Sequence, residues 1–351
     1  MKKVFLSILA VAALASCVED LGAGDAIDFG APFVGNTTKA AADPSYGAGA
    51  VQLTEFNVYG TVQGTGAGVV NIFDGDRVYG GTIGTTGVWQ CDETQFWIEG
   101  ATYNFAAVAD AKVTEYTNGM PTKLTTVAHG NDAAAPYVKG FLKDMLYDQP
   151  AEFKAAKNAE NTYAPVNFAF KHLLAKAQFV VTSNTEGGYY YNVKDIKIHN
   201  FETGEYTIST GKWDKEAVAT DKAYDLDDIL NITKANTLGK TEGDKFMTNE
   251  TQVLLIPTTT NFQVEFVVEL RNDMGTLDNT GDDALLREIH YTVTPPTNGA
   301  EHKGPITVDT ALVQGYAYNF NLALTAGTEI LFTVTSQPAW TNGTMGDFVL
   351  N

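Results

Sequence analysis

The sequence predicts an all-β protein built from β-sandwiches, with few and short helices. Three observations carry this. Short segments of alternating apolar and polar residues recur with turn residues between them. The palette suits strands, with 16 Tyr, 19 Phe and many Thr, and 33 Gly supply turns. No long helical pattern and no repeat of solenoid or propeller period interrupts the series. At 351 residues the chain favours two domains. Residues 151–163 are polar and hold little core, which sets the expected boundary between 40–160 and 161–351.

In chain order, residues 1–16 read as an export signal. Lys2 and Lys3 precede an apolar run over 4–14 that is too short to span a bilayer permanently. Leu14-Ala15-Ser16-Cys17 matches a bacterial lipobox, whose cysteine thiol takes a diacylglycerol and becomes the new N-terminus. Ile27 and Phe29 then stand two apart, the period of a half-buried strand. Thr37-Thr38-Lys39-Ala40 is a basic, small-residue joint that a trypsin-like protease can enter. The leader 17–39 therefore reads as a lipid anchor plus a provisional strand, cut away between Lys39 and Ala40. Residues 40–50 are a small-residue linker.

In the first half, 53–62 reads as a strand with Phe56 and Val58 on one face and Tyr59 on the other. Gly64-Thr65-Gly66-Ala67-Gly68 could suggest a phosphate loop, but strand residues 69–73 follow it, so a hairpin loop is the reading. Asp74-Gly75-Asp76 reads as a further turn. Segments 95–98 and 102–108 form an expected hairpin with one dry face, carrying Tyr103, Phe105 and Ala107. Val138, Phe141, Leu142 and Met145 fall at helical spacing and predict a short amphipathic helix or helical loop over 137–147.

The second half opens on the alternation 166–171, pauses at 172–177 and resumes at 178–182. Residues 190–201 follow, and 225–231 read as one helical turn. Strands are expected at 253–256, 261–270, 288–294, 316–325 and 329–335; the segment 261–270 places Phe262, Val264, Phe266, Val268 and Leu270 on one face.

Formal net charge is −19, and loss of residues 1–39 hardly alters it. That charge argues against nucleic acid and against an electrostatic grip on anionic lipid. The two cysteines are Cys17 and Cys91; with Cys17 acylated, no disulfide forms, and Cys91 reads as a buried small hydrophobe between Trp89 and Phe96. No nucleophile-elbow, zinc-protease or paired-cysteine motif is present, and His129, His172, His199, His290 and His302 stand singly. His172 reads as a satisfied structural histidine. The acidic loop 278–283 could offer oxygens to Ca²⁺ but lacks EF-hand spacing, so a solvated hairpin tip is the reading. No metal, cofactor or catalysis is expected. Trp89, Trp97 and Trp340 compete with Trp213 as sugar platforms; Trp213 is the one set in a wholly polar loop.

Both ends carry strands that the middle does not need. If the strand around Ile27 and Phe29 is removed, the opened groove exposes apolar surface and unpaired backbone, which a second copy can cover by β-addition. Ile330, Phe332 and Val334, followed by Trp340, form the candidate donor region. The alternative is that both strands stay paired within one monomer.

The chain resembles the fimbrillins of the Bacteroidetes, the lipoprotein-derived subunits of type V pili. The resemblance rests on Leu14–Cys17, on Thr38-Lys39-Ala40, on Phe168-Ala169-Phe170-Lys171-His172-Leu173-Leu174-Ala175-Lys176, and on the closing segment from Tyr318-Asn319-Phe320-Asn321-Leu322 to Trp340. It implies two transthyretin-like β-sandwich domains, acylation at Cys17, outer-membrane display, and cleavage between Lys39 and Ala40 by a trypsin-like surface protease. It further implies strand donation from within 328–351 to another pilin subunit in a cell-surface fimbrium supporting adhesion. The family's best-known processing site follows arginine, whereas the basic residue here is Lys39. Glu19-Asp20 resembles a surface-export signal and Asp309-Thr310-Ala311 an O-glycosylation triplet of the same bacteria. The rival reading is an acylated, monomeric surface lipoprotein that binds glycan through aromatics such as Trp213 for nutrient uptake; an extracellular hydrolase has the least support.

Overall fold

The computed structural model describes residues 25–30, 32–34, 53–80, 89–128, 142–185, 187–214, 221–225, 233–239, 244–247, 253–257, 263–275, 280–293, 306–307, 312, 314–325 and 331–337. The strands in chain order are β1 (Phe33–Val34), β2 (Glu55–Gln63), β3 (Val69–Tyr79), β4 (Gln90–Cys91), β5 (Thr102–Ala109), β6 (Ala111–Thr117), β7 (Met120–Thr126), β8 (Leu146–Asp148) and β9 (Phe153–Lys154). They continue with β10 (Ala169–His172), β11 (Ala175–Asn184), β12 (Tyr189–Phe201), β13 (Glu205–Thr207), β14 (Lys212–Asp214) and β15 (Asp221–Asp225). After the short helix α1 (Lys234–Thr237) come β16 (Asp244–Met247), β17 (Val253–Leu255), β18 (Gln263–Asn272), β19 (Ala284–Val293), β20 (Ile306–Thr307), β21 (Ala317–Thr325) and β22 (Leu331–Gln337). The chain is all-β, as expected.

Four sheets result. An eight-stranded sheet runs β1-β10-β8-β5-β2-β3-β4, with β9 also on β5, and a four-stranded sheet runs β14-β13-β7-β6. A six-stranded sheet runs β16-β11-β21-β22-β20, with β17 also on β11, and faces a four-stranded sheet β15-β12-β18-β19. That last pair encloses one core. Ala177 and Val181 of β11, Leu255 of β17 and Leu322 and Leu324 of β21 meet Val193 and Ile198 of β12 and Val264, Phe266 and Val268 of β18. The period-2 pattern of 261–270 is the cause, because it turns alternate side chains of β18 into the sandwich.

In the first half, both faces of β5 are buried. Tyr103, Phe105 and Ala107 enter one core, while Ala106 and Val108 enter another with Tyr59, Leu124, Leu173, Leu174 and Ile256. Alternation predicts one dry face; the second is dry because Leu124 of β7 and Tyr206 of β13, in the sheet β14-β13-β7-β6, belong to the core that covers its small side chains. The loop 64–68 does close a hairpin, with Gln63 opposite Val69.

Several expectations change. Asp74-Gly75-Asp76 is not a turn but a bulge inside β3: Val58 pairs Asp76 and Tyr59 pairs Asp74, and Gly75 at φ +86° takes up the extra residue. The helix expected over 137–147 is absent from its described part, where Leu146 and Tyr147 lie in β8; pairing with β5 and β10 overrides helical spacing. Segment 95–98 is no strand of a hairpin; its partner is the leader, through an Ala26–Phe96 bridge. Asp225 ends β15, and the rest of the expected turn 225–231 lies outside the described residues.

Strands on either side of 151–163 also pair with one another. β10 pairs β8, and β13 pairs β7, so residues 169–172 and 205–207 join sheets begun before residue 130. His172, Leu173 and Leu174 carry the chain from the eight-stranded sheet into β11. The turn there is buried, with the Leu173 amide donating to the Met145 carbonyl at 2.9 Å and His172 Nδ1 2.9 Å from the Asp144 carboxylate. The histidine is thus a satisfied structural residue.

Candidate functional site

The leader segment Asp25–Gly30 lies in a groove and is bonded on both sides. On one flank the Ile27 amide donates to the Gln95 carbonyl and the Trp97 amide to the Asp25 carbonyl, each at 2.8 Å. On the other flank the Val166 amide donates to the Asp28 carbonyl at 2.8 Å and the Gly30 amide to the Val166 carbonyl at 2.9 Å. The segment runs antiparallel to Phe96 and parallel to Val166, and β1 extends the parallel pairing along β10. It is a strand in its bonding, though too irregular to form a continuous ladder.

Alternation decides which side chains enter. Ile27 and Phe29 are buried, while Asp28 between them is exposed. The groove floor is aromatic. Phe29 meets Phe73 edge-on with centroids 5.6 Å apart and stacks on Phe168 at 6.0 Å; Phe56 touches Phe168, Phe170 and Trp89. Trp97 closes the flank against Tyr103 and Tyr163. Without Ile27 and Phe29 this floor would face water, and burial of two such side chains is worth roughly 1.5–3 kcal/mol each. The four backbone bonds would lose their partners as well.

Two side chains fix the ends of the segment. Lys157 Nζ stands 3.2 Å from an Asp25 carboxylate oxygen. Gly30 packs so closely on Asn167 that a Cβ there would lie 2.1 Å from Asn167 Oδ1. Neither residue stood out in the sequence: Lys157 belongs to the polar stretch read as a boundary, and Asn167 is the outward residue of an alternating strand.

The family follows from the matched residues: a model described as fimbrillin-like matches residues 46–338. The chain belongs to the fimbrillin-like family. This fimbrillin-like chain also superposes on solved structures. A fimbrial protein from Bacteroides vulgatus aligns with a TM-score of 0.58 and 14% identity, covering 91% of this chain and 100% of that one. A fimbrial assembly protein from Parabacteroides distasonis aligns at 0.40 and 14%, covering 89% and 100%. The first likeness bears on the fold alone; the second diverges too far to add to it. No curated protein matches the chain. The leader lies outside the matched residues of the family model.

The other expected site residues fall as follows. Cys17, Lys39, Ala40, Ile330 and Trp340 lie outside the described residues, as do Glu19-Asp20 and Asp309-Thr310-Ala311. Phe332 and Val334 lie on β22, which is not a loose edge: it pairs β21 over seven residues and β20 over two. Trp213 is not a free loop aromatic. It sits in β14, packs on Tyr206 at 5.5 Å and donates its Nε1 proton to the Leu173 carbonyl at 3.1 Å. Cys91 is half-buried against the cluster that holds Trp89, whereas Phe96 is exposed.

The acidic loop is corrected at Asp283. That side chain is buried, accepting from Lys234 Nζ at 2.8 Å and from the Tyr190 hydroxyl at 2.6 Å; Lys234 also pairs with Asp273 at 2.8 Å. Through Lys234, Asp273 and Asp283 tie α1 to the ends of β18 and β19. Among the described residues no group of three or more His, Cys, Asp or Glu could hold a metal ion.

Proposed function

We propose that this chain is a structural pilin subunit of a cell-surface, type V-like pilus, exported as a lipoprotein acylated at Cys17 and displayed at the outer membrane, and that its two tandem sandwiches serve adhesion rather than catalysis. Assembly proceeds by cutting between Lys39 and Ala40, release of the leader strand, and entry of a strand from another pilin subunit. The observation that carries the reading is the burial of Ile27 and Phe29 in a groove whose walls bond the leader from both sides, upstream of a basic joint. A plug of this kind stabilises a monomer that would otherwise expose an aromatic cleft. Its replacement by β-addition covers the same surface intermolecularly, and the buried strand makes the junction slow to break.

The test is controlled cleavage of the purified precursor. Release of residues 1–39 with Ala40 as the new N-terminus, followed by SDS-resistant ladders, is the expected result. Surface fibres whose subunits retain an acylated Cys17 would overturn it.

A further inference from the structure

The leader is also a template for whatever replaces it. We propose that the groove selects an extended strand with a carboxylate two residues before its first buried apolar side chain and a glycine directly after its second, read by Lys157 and Asn167 respectively. This rests on the reading that the leader is exchanged.

The cation is prepared before any strand arrives. Lys157 Nζ lies over the Tyr163 ring, 5.5 Å from its centroid, and that ring stacks on Trp97 at 5.4 Å. The backbone around it is pinned by Asn158, whose Oδ1 accepts from the Glu160 and Thr162 amides at 2.9 and 3.0 Å. None of these contacts involves the leader, so they remain when it leaves. Asp25 then supplies the matching charge, two residues before Ile27. At the far end, Asn167 Nδ2 donates to the Pro165 carbonyl at 3.1 Å, and this bond holds its Oδ1 against Gly30. A larger residue there must push Asn167 off that bond. Between the two ends lie sockets for an aliphatic and an aromatic side chain, two residues apart.

The rule discriminates against this chain's own β22. With Ile330 and Phe332 in the sockets, Thr328 would face Lys157 and Thr333 would stand where Gly30 does; with Phe332 and Val334 there, the two positions would fall to Ile330 and Thr335. The occupant that fits is therefore a partner strand of leader-like chemistry, not β22 of a second copy.

The experiment uses the full chain with a specific protease site in place of residues 36–41, cut and carrying a labelled leader. In urea below the unfolding transition, displacement by synthetic peptides is followed by anisotropy. Peptide 24–35 should displace the label. Its Asp25→Lys form should be about tenfold weaker, somewhat more than the loss of one half-exposed ion pair because attraction becomes repulsion. Lys157→Asp protein should reverse that preference. A Gly30→Val peptide should be weaker on wild type and recover on Asn167→Gly protein. Equal displacement by the unaltered peptide and its Asp25→Lys form, no reversal on the Lys157→Asp protein, or displacement by peptide 328–339 as effective as by 24–35 would each overturn the proposal. Absence of ladders after cleavage would instead count against strand exchange, because the charge preference is read on peptide binding alone.

Discussion

Phe29 stacks on Phe168, ring centroids 6.0 Å apart and planes 21° from parallel. One ring belongs to the leader and the other to the segment entering β10, so the leader is part of the core. Phe29→Ala should therefore cost the uncut chain about 3–5 kcal/mol, as for other aromatic truncations in cores. A lowered urea midpoint with an unchanged slope is the expected readout.

Acid should weaken the second half through two carboxylates. The hydrogen bond from Lys234, with a second from Tyr190, lowers the Asp283 pKa from 3.8 to about 2. Burial alone would raise Glu269, but Arg271, Lys194 and Asn192 outweigh it and bring it from 4.5 to about 2. Both groups take up protons more readily in the unfolded chain, so their stabilisation is complete above about pH 4.5 and is lost as pH falls toward 2. Melting temperatures of wild type should drop across that window, and Asp283→Asn should start lower and show a shallower drop.

Cys91 should be a sluggish thiol. Burial pushes it from 9.0 up to about 11. In a Cys17→Ser variant at pH 8, alkylation should run on the order of 100-fold slower than for free cysteine, since the thiolate is the nucleophile. A rate near that of free cysteine would contradict the burial.

Trp213 should behave as a packing residue. Its truncation to Ala removes a ring and an Nε1 bond and should cost about 1–3 kcal/mol. Thermal melts would record that loss. Weakened glycan capture with an unchanged melting temperature would favour the glycan-binding reading instead.

In the monomer, amides of β22 should exchange slowly, because β21 and β20 bond it from both sides. Fast exchange over Leu331–Gln337 would show a strand free to be donated.

The sequence by itself determined the all-β class, the hairpin at 64–68, the inward residues Phe56 and Val58 of β2 and Val264, Phe266 and Val268 of β18, and the alternation that buries Ile27 and Phe29. Those are consequences of local periodicity and turn chemistry, which act over a few residues. Tertiary structure alone decided what flanks the leader, that β22 is interior to a sheet, that Leu146 and Tyr147 are strand rather than helix, and that strands on either side of 151–163 pair with one another. Each depends on pairing between segments far apart in the chain, and the free energy of a ladder or a shared core is not written in either segment alone. Lys157 shows the difference most plainly: in sequence it is one lysine in a polar stretch, and the fold sets it against Asp25.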